Sequence, residues 1–167
     1  MPLEEIERVF VVNALPEDLV PFEKKMVYQN YLISTDEKET RIRRQVEEGK
    51  EDKCDITIKE GNGLTRKVVK KRINEQTYLE LEKNIPEKYE PIIKFRQFFA
   101  LGNSQVMIDD FVNTKDPLLL AEVEFNTKEE AAEFIPPLWF GKEVTYDDNF
   151  KNKNLWKKLN QDLIFNK

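Results

Sequence analysis

The sequence contains no histidine, and this absence excludes several kinds of catalytic and metal site. Nucleophilic triads and dyads that use histidine as the base cannot form, and histidine-ligated zinc or haem sites cannot form either. Cys54 is the only cysteine, so an intrachain disulfide is impossible and a reducing compartment is the expected setting. Because Cys54 alternates with Ile56 and Ile58, we interpret it as a small core residue.

Long hydrophobic runs are also missing. No apolar stretch approaches the roughly 18 residues that a membrane-spanning helix needs, and the N-terminus, MPLEEIERVF, lacks the profile of a signal peptide. Repeats, low-complexity segments and Pro/Gly/Ser linkers are absent as well, so we expect residues 1–167 to form one cytoplasmic domain that does not associate with membranes. The net charge of -5 argues against binding of a nucleic-acid duplex, which needs a net basic face.

Alternation of side-chain character with a period of two dominates the chain and predicts β-strands. Eight segments show this alternation: residues 5–12, 26–33, 39–45, 54–59, 64–73, 92–99, 105–111 and 118–125. The segment EGNG at residues 60–63 is rich in glycine and predicts a turn between the fourth and fifth strands.

Three shorter segments predict helices. Asn74 is a candidate N-cap for a helix over residues 74–83, and a capping box formed by Thr127 and Glu130 predicts a second helix that ends before the Pro-Pro step at 136. Residues 152–165 carry apolar side chains at the helical period. We therefore expect one continuous C-terminal helix that lays an apolar stripe on the body of the protein.

The polar faces of the predicted strands are unusual because they carry pairs of like charges. Residues at i and i+2 point to the same side of a strand, so the two charges of a pair repel each other. A solvated outer face is one interpretation. Because acidic and basic pairs occur on many strands, we favour one charged site enclosed by a closed barrel, with helices covering the apolar outside. The pairs are Glu5 with Glu7, Arg41 with Arg43, Lys94 with Arg96, and Glu122 with Glu124.

Seven segments follow one another in a recognisable order. They are EIERVFVV at residues 5–12, YQNYL at 28–32, RIR at 41–43, TIKEGNGLTR at 57–66, KFR at 94–96, AEVEF at 121–125 and FIPPLWFGKEVTYD at 134–147. In this order they resemble the motifs of the CYTH family, also called triphosphate tunnel metalloenzymes, over nearly the whole chain. The resemblance implies a β-dominated α+β fold, a closed eight-stranded antiparallel barrel with covering helices and a C-terminal helix. It also implies a triphosphate bound together with Mg²⁺ or Mn²⁺.

The resemblance assigns roles to two groups of charged side chains. Arginine offers a planar fork to phosphate oxygens, and carboxylates offer the hard oxygen ligands that divalent ions prefer. The implied phosphate-binding residues are Arg41, Arg43, Lys59, Arg66, Lys94 and Arg96. The implied metal ligands are Glu5, Glu7, Asp109, Glu122 and Glu124. The candidate catalytic residues are Glu5, Glu7, Lys94 and Arg96.

Four positions depart from the family pattern. Val9 stands where the opening motif ExExK ends in lysine, and Val68 and Lys70 stand where many members have glutamate. Met107 stands where an acid often precedes the Asp109 position by two residues. These changes remove acids usually linked to a second metal or to the attacking water. We interpret an inward-facing Lys70 as a fixed cation that replaces part of a metal's charge, unless a register shift turns it to solvent.

The first functional hypothesis is a metal-dependent triphosphatase acting on inorganic tripolyphosphate or a small organic triphosphate. Phosphoryl transfer needs positioning and charge neutralisation more than covalent chemistry, so a site without histidine is sufficient. The alternative is a degenerate module that binds a nucleotide or polyphosphate with little turnover. A class IV adenylate cyclase is a weaker third reading, since nothing in the chain indicates an adenine pocket. The expected partner is a triphosphate-containing small molecule, and the expected assembly is a monomer or homodimer.

Overall fold

All eight predicted strands form, and they close into one antiparallel barrel. The computed structural model describes residues 3–61 and 65–164, so the predicted turn residues Asn62 and Gly63, the predicted strand start Leu64 and the predicted helix end Phe165 lie outside it. The strands are β1 (Leu3–Val12), β2 (Glu23–Ser34), β3 (Lys38–Val46), β4 (Lys53–Glu60), β5 (Thr65–Ile73), β6 (Ile92–Leu101), β7 (Ser104–Phe111) and β8 (Leu118–Phe125). They are arranged β5-β4-β3-β2-β6-β7-β8-β1, and pairing of β1 with β5 closes the barrel.

A ninth strand, β9 (Phe140–Glu143), extends the barrel wall and is not predicted by the sequence pattern. β8 pairs along one edge of β1, while the other edge is shared by β5 at residues 3–6 and by β9 at residues 10–12. Gly141 permits this close pairing, because a Cβ there would lie 2.8 Å from the backbone oxygen of Val11. A strand of four residues is too short to display alternation, which explains why the pattern misses it.

The predicted helix caps form. Two helices follow them, α1 (Glu75–Glu82) and α2 (Lys128–Glu133). The Asn74 side chain accepts a hydrogen bond from the Thr77 amide at 2.8 Å, and the Thr127 hydroxyl accepts one from the Glu130 amide at 3.1 Å. The Glu130 carboxylate accepts from the Asn126 amide at 3.0 Å, one residue earlier than a capping box requires. No helix among the described residues is long and apolar enough to cross a bilayer.

The prediction of one continuous C-terminal helix is wrong, because the helix breaks at Asn160. A short 3₁₀ turn (Asp148–Phe150) leads into α3 (Asn152–Leu159), and only α4 (Gln161–Ile164) follows the break. The buried Asn160 side chain accepts from the Glu90 amide at 2.8 Å and donates to the Glu90 carbonyl at 3.0 Å. An asparagine that bonds to backbone groups competes with continuation of the helix, and here it ties the C-terminal segment to the loop before β6.

The barrel interior becomes apolar at one end, where β1 finishes. Phe111 and Leu120 continue the inward faces of β7 and β8 beyond the charged positions, and they lie in one buried cluster with Trp156 of α3. The indole N–H of Trp156 also donates to Asn30 of β2 at 2.9 Å. Burial of such side chains stabilises the fold by about 1.5–3 kcal/mol each. The C-terminal segment therefore covers this end of the barrel.

Candidate functional site

A polar cavity of about 250 Å³ lies inside the barrel. Alternate residues of the strands line it, as the pairs of like charge on single strand faces predict. Glu124 and Lys70 are lining residues that are also exposed, so the cavity opens to solvent at the end away from α3. Of the predicted site residues, all but Asp109 line the cavity: Glu5, Glu7, Arg41, Arg43, Lys59, Arg66, Lys94, Arg96, Glu122 and Glu124.

Three carboxylates form an acidic cluster on the wall made by β1 and β8. Glu7 lies opposite Glu124 in the register of these strands, and oxygens of Glu5, Glu7 and Glu124 all lie within 4.8 Å of one another. Burial raises the pKa of the Glu124 carboxyl, and the charges of Glu5 and Glu122 raise it further. Glu124 has no ion pair with any residue that the structure describes. A cation would relieve this repulsion, and the donor set fits a hard divalent ion.

Basic residues of β4 and β5 form ion pairs with the other two acids of this cluster. The Lys59 ammonium contacts the Glu5 carboxylate, and the Arg66 guanidinium contacts Glu7 and lies 3.7 Å from Glu5. Burial by itself would raise the pKa of Glu5, but Lys59 and then Arg66 outweigh it and lower that pKa. The lowered pKa favours the charged form of Glu5, which can then serve as a metal ligand.

Asp109 lies on the inward face of β7, where it is fully buried and contacts two cations that line the cavity. Arg96 donates to both carboxylate oxygens at 2.6 Å, and the Lys94 ammonium contacts the same carboxylate. Burial alone would raise the pKa of Asp109, but Arg96 and Lys94 hold it well below its usual range. Glu122 also accepts from Arg96, at 3.0 Å. The structure thus places Asp109 and Glu122 outside the acidic cluster and in contact with the predicted phosphate-binding cations.

The two arginines of β3 that line the cavity differ in the hydrogen-bond partners that the protein gives them. Arg43 donates to Asp55 at 3.2 Å, and burial and the nearby Arg41 lower its pKa to about 10 despite that carboxylate. Arg41 lies 3.9 Å from Glu39, and its buried Nε has no partner in the described part of the chain. Arg41 is therefore the cation best able to bind an incoming phosphate oxygen.

The four positions that depart from the family pattern all line the cavity: Val9, Val68, Lys70 and Met107. Lys70 lies opposite Thr57 in register and faces inward as interpreted. Burial and then the charge of Arg43 lower its pKa, and its ammonium has no ion pair with any described residue. These departures change the chemistry of the site itself.

Several lining residues are missing from the sequence prediction. Glu39 shares the inward face of β3 with Arg41, so strict alternation could have found it. Lys25 lies one residue before the predicted start of β2, and Asn152 comes from α3, which alternation cannot place in a barrel. Gln29 is neutral and fully buried, and it carries no signal in a search for charged pairs.

Comparisons with known proteins agree with this geometry. No family model matches the sequence. The chain is 36% identical over 158 residues to an inorganic triphosphatase of Nitrosomonas europaea, covering 92% of this chain and 97% of that protein. It is 30% identical over 157 residues to an inorganic triphosphatase of Acetivibrio thermocellus, covering 92% and 94%. A crystal structure of an inorganic triphosphatase matches with a TM-score of 0.61 and 32% identity, covering 90% of this chain and 93% of that one.

Replacing Glu124 tests the acidic cluster. We expect Glu124→Gln to raise the melting temperature in a chelator at pH 7 by roughly 2–4 °C, because the amide removes a repelled charge. We also expect affinity for Mn²⁺ to fall at least about tenfold, the equivalent of one lost ligand contact of roughly 1.4 kcal/mol. Thermal scans and metal titrations measure both effects. The exposed Glu17→Gln is the matched control, and equal metal affinity in both variants would exclude Glu124 as a ligand.

Replacing Asp109 tests charge compensation in the barrel wall. Asp109→Asn leaves Arg96 and Lys94 buried beside a neutral amide, and breaking a buried pair in this way typically costs about 3–5 kcal/mol. Urea unfolding at pH 7 measures this loss. Because the pKa of Asp109 is lowered in the fold, its stabilisation is present above the usual carboxyl pKa and disappears as pH falls towards the lowered value. The difference between wild type and variant should therefore shrink below about pH 4.

A surface pair provides the control for that experiment. Glu60→Gln removes an exposed ion pair with Lys38, 3.4 Å long, and should cost less than about 1 kcal/mol. If Asp109→Asn is as mild as Glu60→Gln, the wall does not depend on the buried carboxylate.

Proposed function

The chain belongs to the CYTH family of triphosphate tunnel proteins, and from that premise we propose that it is a metal-dependent triphosphatase of inorganic tripolyphosphate or a small organic triphosphate. The observation that carries the proposal is the division of one cavity into an acidic cluster and a facing set of cations. The names of both curated relatives support the activity. We further propose that residues 1–167 act as one cytoplasmic domain, as a monomer or homodimer.

Glu5, Glu7 and Glu124 would hold the metal, for which we propose Mg²⁺ or Mn²⁺. Their oxygens are hard ligands within 4.8 Å of one another, and the raised pKa of Glu124 reflects a repulsion that a divalent ion would remove. When bound, such an ion supplies positive charge to phosphate oxygens. Glu122 and Asp109, which the sequence also suggests as ligands, would instead orient Arg96 and Lys94 towards the substrate.

The cations would bind and orient the phosphate chain. Arg41 has an unpaired buried Nε, and Lys94 and Arg96 are held in place by Asp109. Fixed donors that need no rearrangement during the reaction are the main source of catalysis in phosphoryl transfer. Burial and Arg96 lower the pKa of Lys94 to about 8, so the charge of this group depends on pH near neutrality.

Hydrolysis of tripolyphosphate by an Arg41 variant tests the proposal. Arg41→Ala should weaken substrate binding by about 1–3 kcal/mol, which corresponds to a rise in KM of roughly 5- to 150-fold. Phosphate release with Mg²⁺ or Mn²⁺ measures it. The control is Arg44→Ala, which removes a neighbouring arginine that pairs with Asp52 away from the cavity. Absence of phosphate release from the wild type under both metals would refute a triphosphatase function.

A binding module with little turnover is the second candidate, and the valines in the cavity favour it. Val9 and Val68 supply neither the cation nor the acid of the family pattern at positions that line the site. Loss of a general base typically costs about 10²–10⁴ in rate. This reading predicts tight binding of tripolyphosphate with a kcat below the common range of about 1–10³ s⁻¹.

Restoring two acids separates the two candidates. Val68→Glu with Lys70→Glu should raise kcat by at least about tenfold if the missing acids limit the reaction. Val69→Glu with Lys71→Glu makes the same charge change on the outer face of β5 and is the matched control. Steady-state hydrolysis measures all three proteins. A wild-type kcat already within the common range, and unimproved by the double change, would show that the departures do not disable the site.

A further inference from the structure

Gln29 on β2 is a fully buried neutral residue in the wall of the charged cavity. Its Nε2 donates a hydrogen bond of 2.6 Å to the hydroxyl of Tyr31. Its Oε1 is buried and has no hydrogen-bond partner among the described residues. A buried acceptor without a partner costs about 1–3 kcal/mol, so the position retains it at the expense of stability.

Tyr31 holds one side of this amide through the hydrogen bond to its hydroxyl. Tyr31 is 4% exposed and packs against Trp156 with ring centroids 5.5 Å apart, so its ring is held in place where its hydroxyl accepts from Nε2. The same hydroxyl interacts with the side chain of Arg41, which places Gln29 beside the guanidinium with the unpaired Nε. Among the described residues, Oε1 of Gln29 is thus a buried acceptor and Nε of Arg41 a buried donor without a partner, and Tyr31 interacts with both side chains.

Oε1 of Gln29 and Nε of Arg41 require different kinds of ligand atom, because the first accepts a hydrogen bond and the second donates one. A fully ionised phosphate oxygen has lone pairs and no hydrogen, so it suits the Nε of Arg41 and cannot satisfy Oε1 of Gln29. Water has hydrogens to donate, and a water molecule held through one hydrogen keeps a lone pair free for attack. A glutamine in this role is known in GTPases, where it orients the attacking water without acting as a strong base.

We propose that Gln29 Oε1 binds and orients the water that attacks the terminal phosphorus of the substrate. The inference rests on the proposed triphosphatase function and identifies Oε1 of Gln29 as the atom that accepts a hydrogen bond from the attacking water. The water oxygen bonds to phosphorus, and the bridging P–O bond breaks with its electrons passing to the leaving pyrophosphate. One water proton stays on the orthophosphate, and the other ends on the pyrophosphate oxygen that leaves. Gln29 itself is neither protonated nor deprotonated.

The test compares substitutions of Gln29 in steady-state hydrolysis of tripolyphosphate with Mn²⁺. Gln29→Met removes the acceptor at similar length, and we expect kcat to fall about 100-fold with KM changed less than about threefold. Gln29→Glu keeps an oxygen at the same place, and we expect it to recover at least about tenfold of that loss. Gln29→Asn retracts the acceptor by one methylene, and it should behave like the Met variant.

The control is Ser34→Ala at the far end of the same strand. Ser34 Oγ is another buried side-chain atom without a described partner, but it does not line the cavity. Its removal should leave kcat unchanged, whereas a merely structural role for Gln29 would alter melting temperature in both variants and kcat in neither.

Several results would overturn the inference. Unchanged kcat in the Met variant would do so, and so would a raised KM with normal kcat, which would mean that the amide contacts substrate. If Gln29→Met does not fold, Gln29→Asn and Gln29→Glu decide the question in the same way. A wild type that binds tripolyphosphate without hydrolysing it removes the proposed function itself, an outcome distinct from an active wild type with active Gln29 variants.

Discussion

Pairing of opposite charges between neighbouring strands makes a charged barrel interior compatible with a stable fold. An isolated buried charge costs several kcal/mol, and a barrel lined with lysine and arginine would not close without compensation. Asp109 compensates the charges of Lys94 and Arg96 from the neighbouring strand inside the barrel, and Asp55 does the same for Arg43. Removing one of these carboxylates would leave buried cations without compensation, which is strongly destabilising.

The need to pair charges inside the barrel reverses the usual arrangement, in which apolar side chains face inward and polar side chains face solvent. The inward faces carry charges, so apolar side chains pack on the outside, beneath α2 and β9, and at the covered end beneath α3. The short helices are therefore structural covers for faces that a typical barrel would leave to solvent. The charged part of the interior, unlike its apolar end, therefore contains a cavity that can hold a ligand.

Alternation along the chain predicts the strands because each runs for eight or more residues with a consistent face. It also predicts which side chains face inward, since that depends on parity alone. It cannot say which inward residues meet, because meeting depends on register between strands. Asp109 lies opposite Arg96 and forms an ion pair with it. Glu7 lies opposite Glu124 and forms part of the acidic cluster with it. The break at Asn160 depends on Glu90, 70 positions earlier in the chain, and no local pattern records such a contact.

The covered end of the barrel has a consequence for traffic through the cavity. Among the described residues, α3 covers one end of the interior, and solvent reaches the cavity at the other end, beside Glu124 and Lys70. A linear phosphate chain that enters at this end would go in with a terminal phosphate first. Under the proposed function, both products would leave by the opening that the next substrate uses. Product release and substrate entry would then compete for the same opening, so accumulated product would slow the binding of the next substrate.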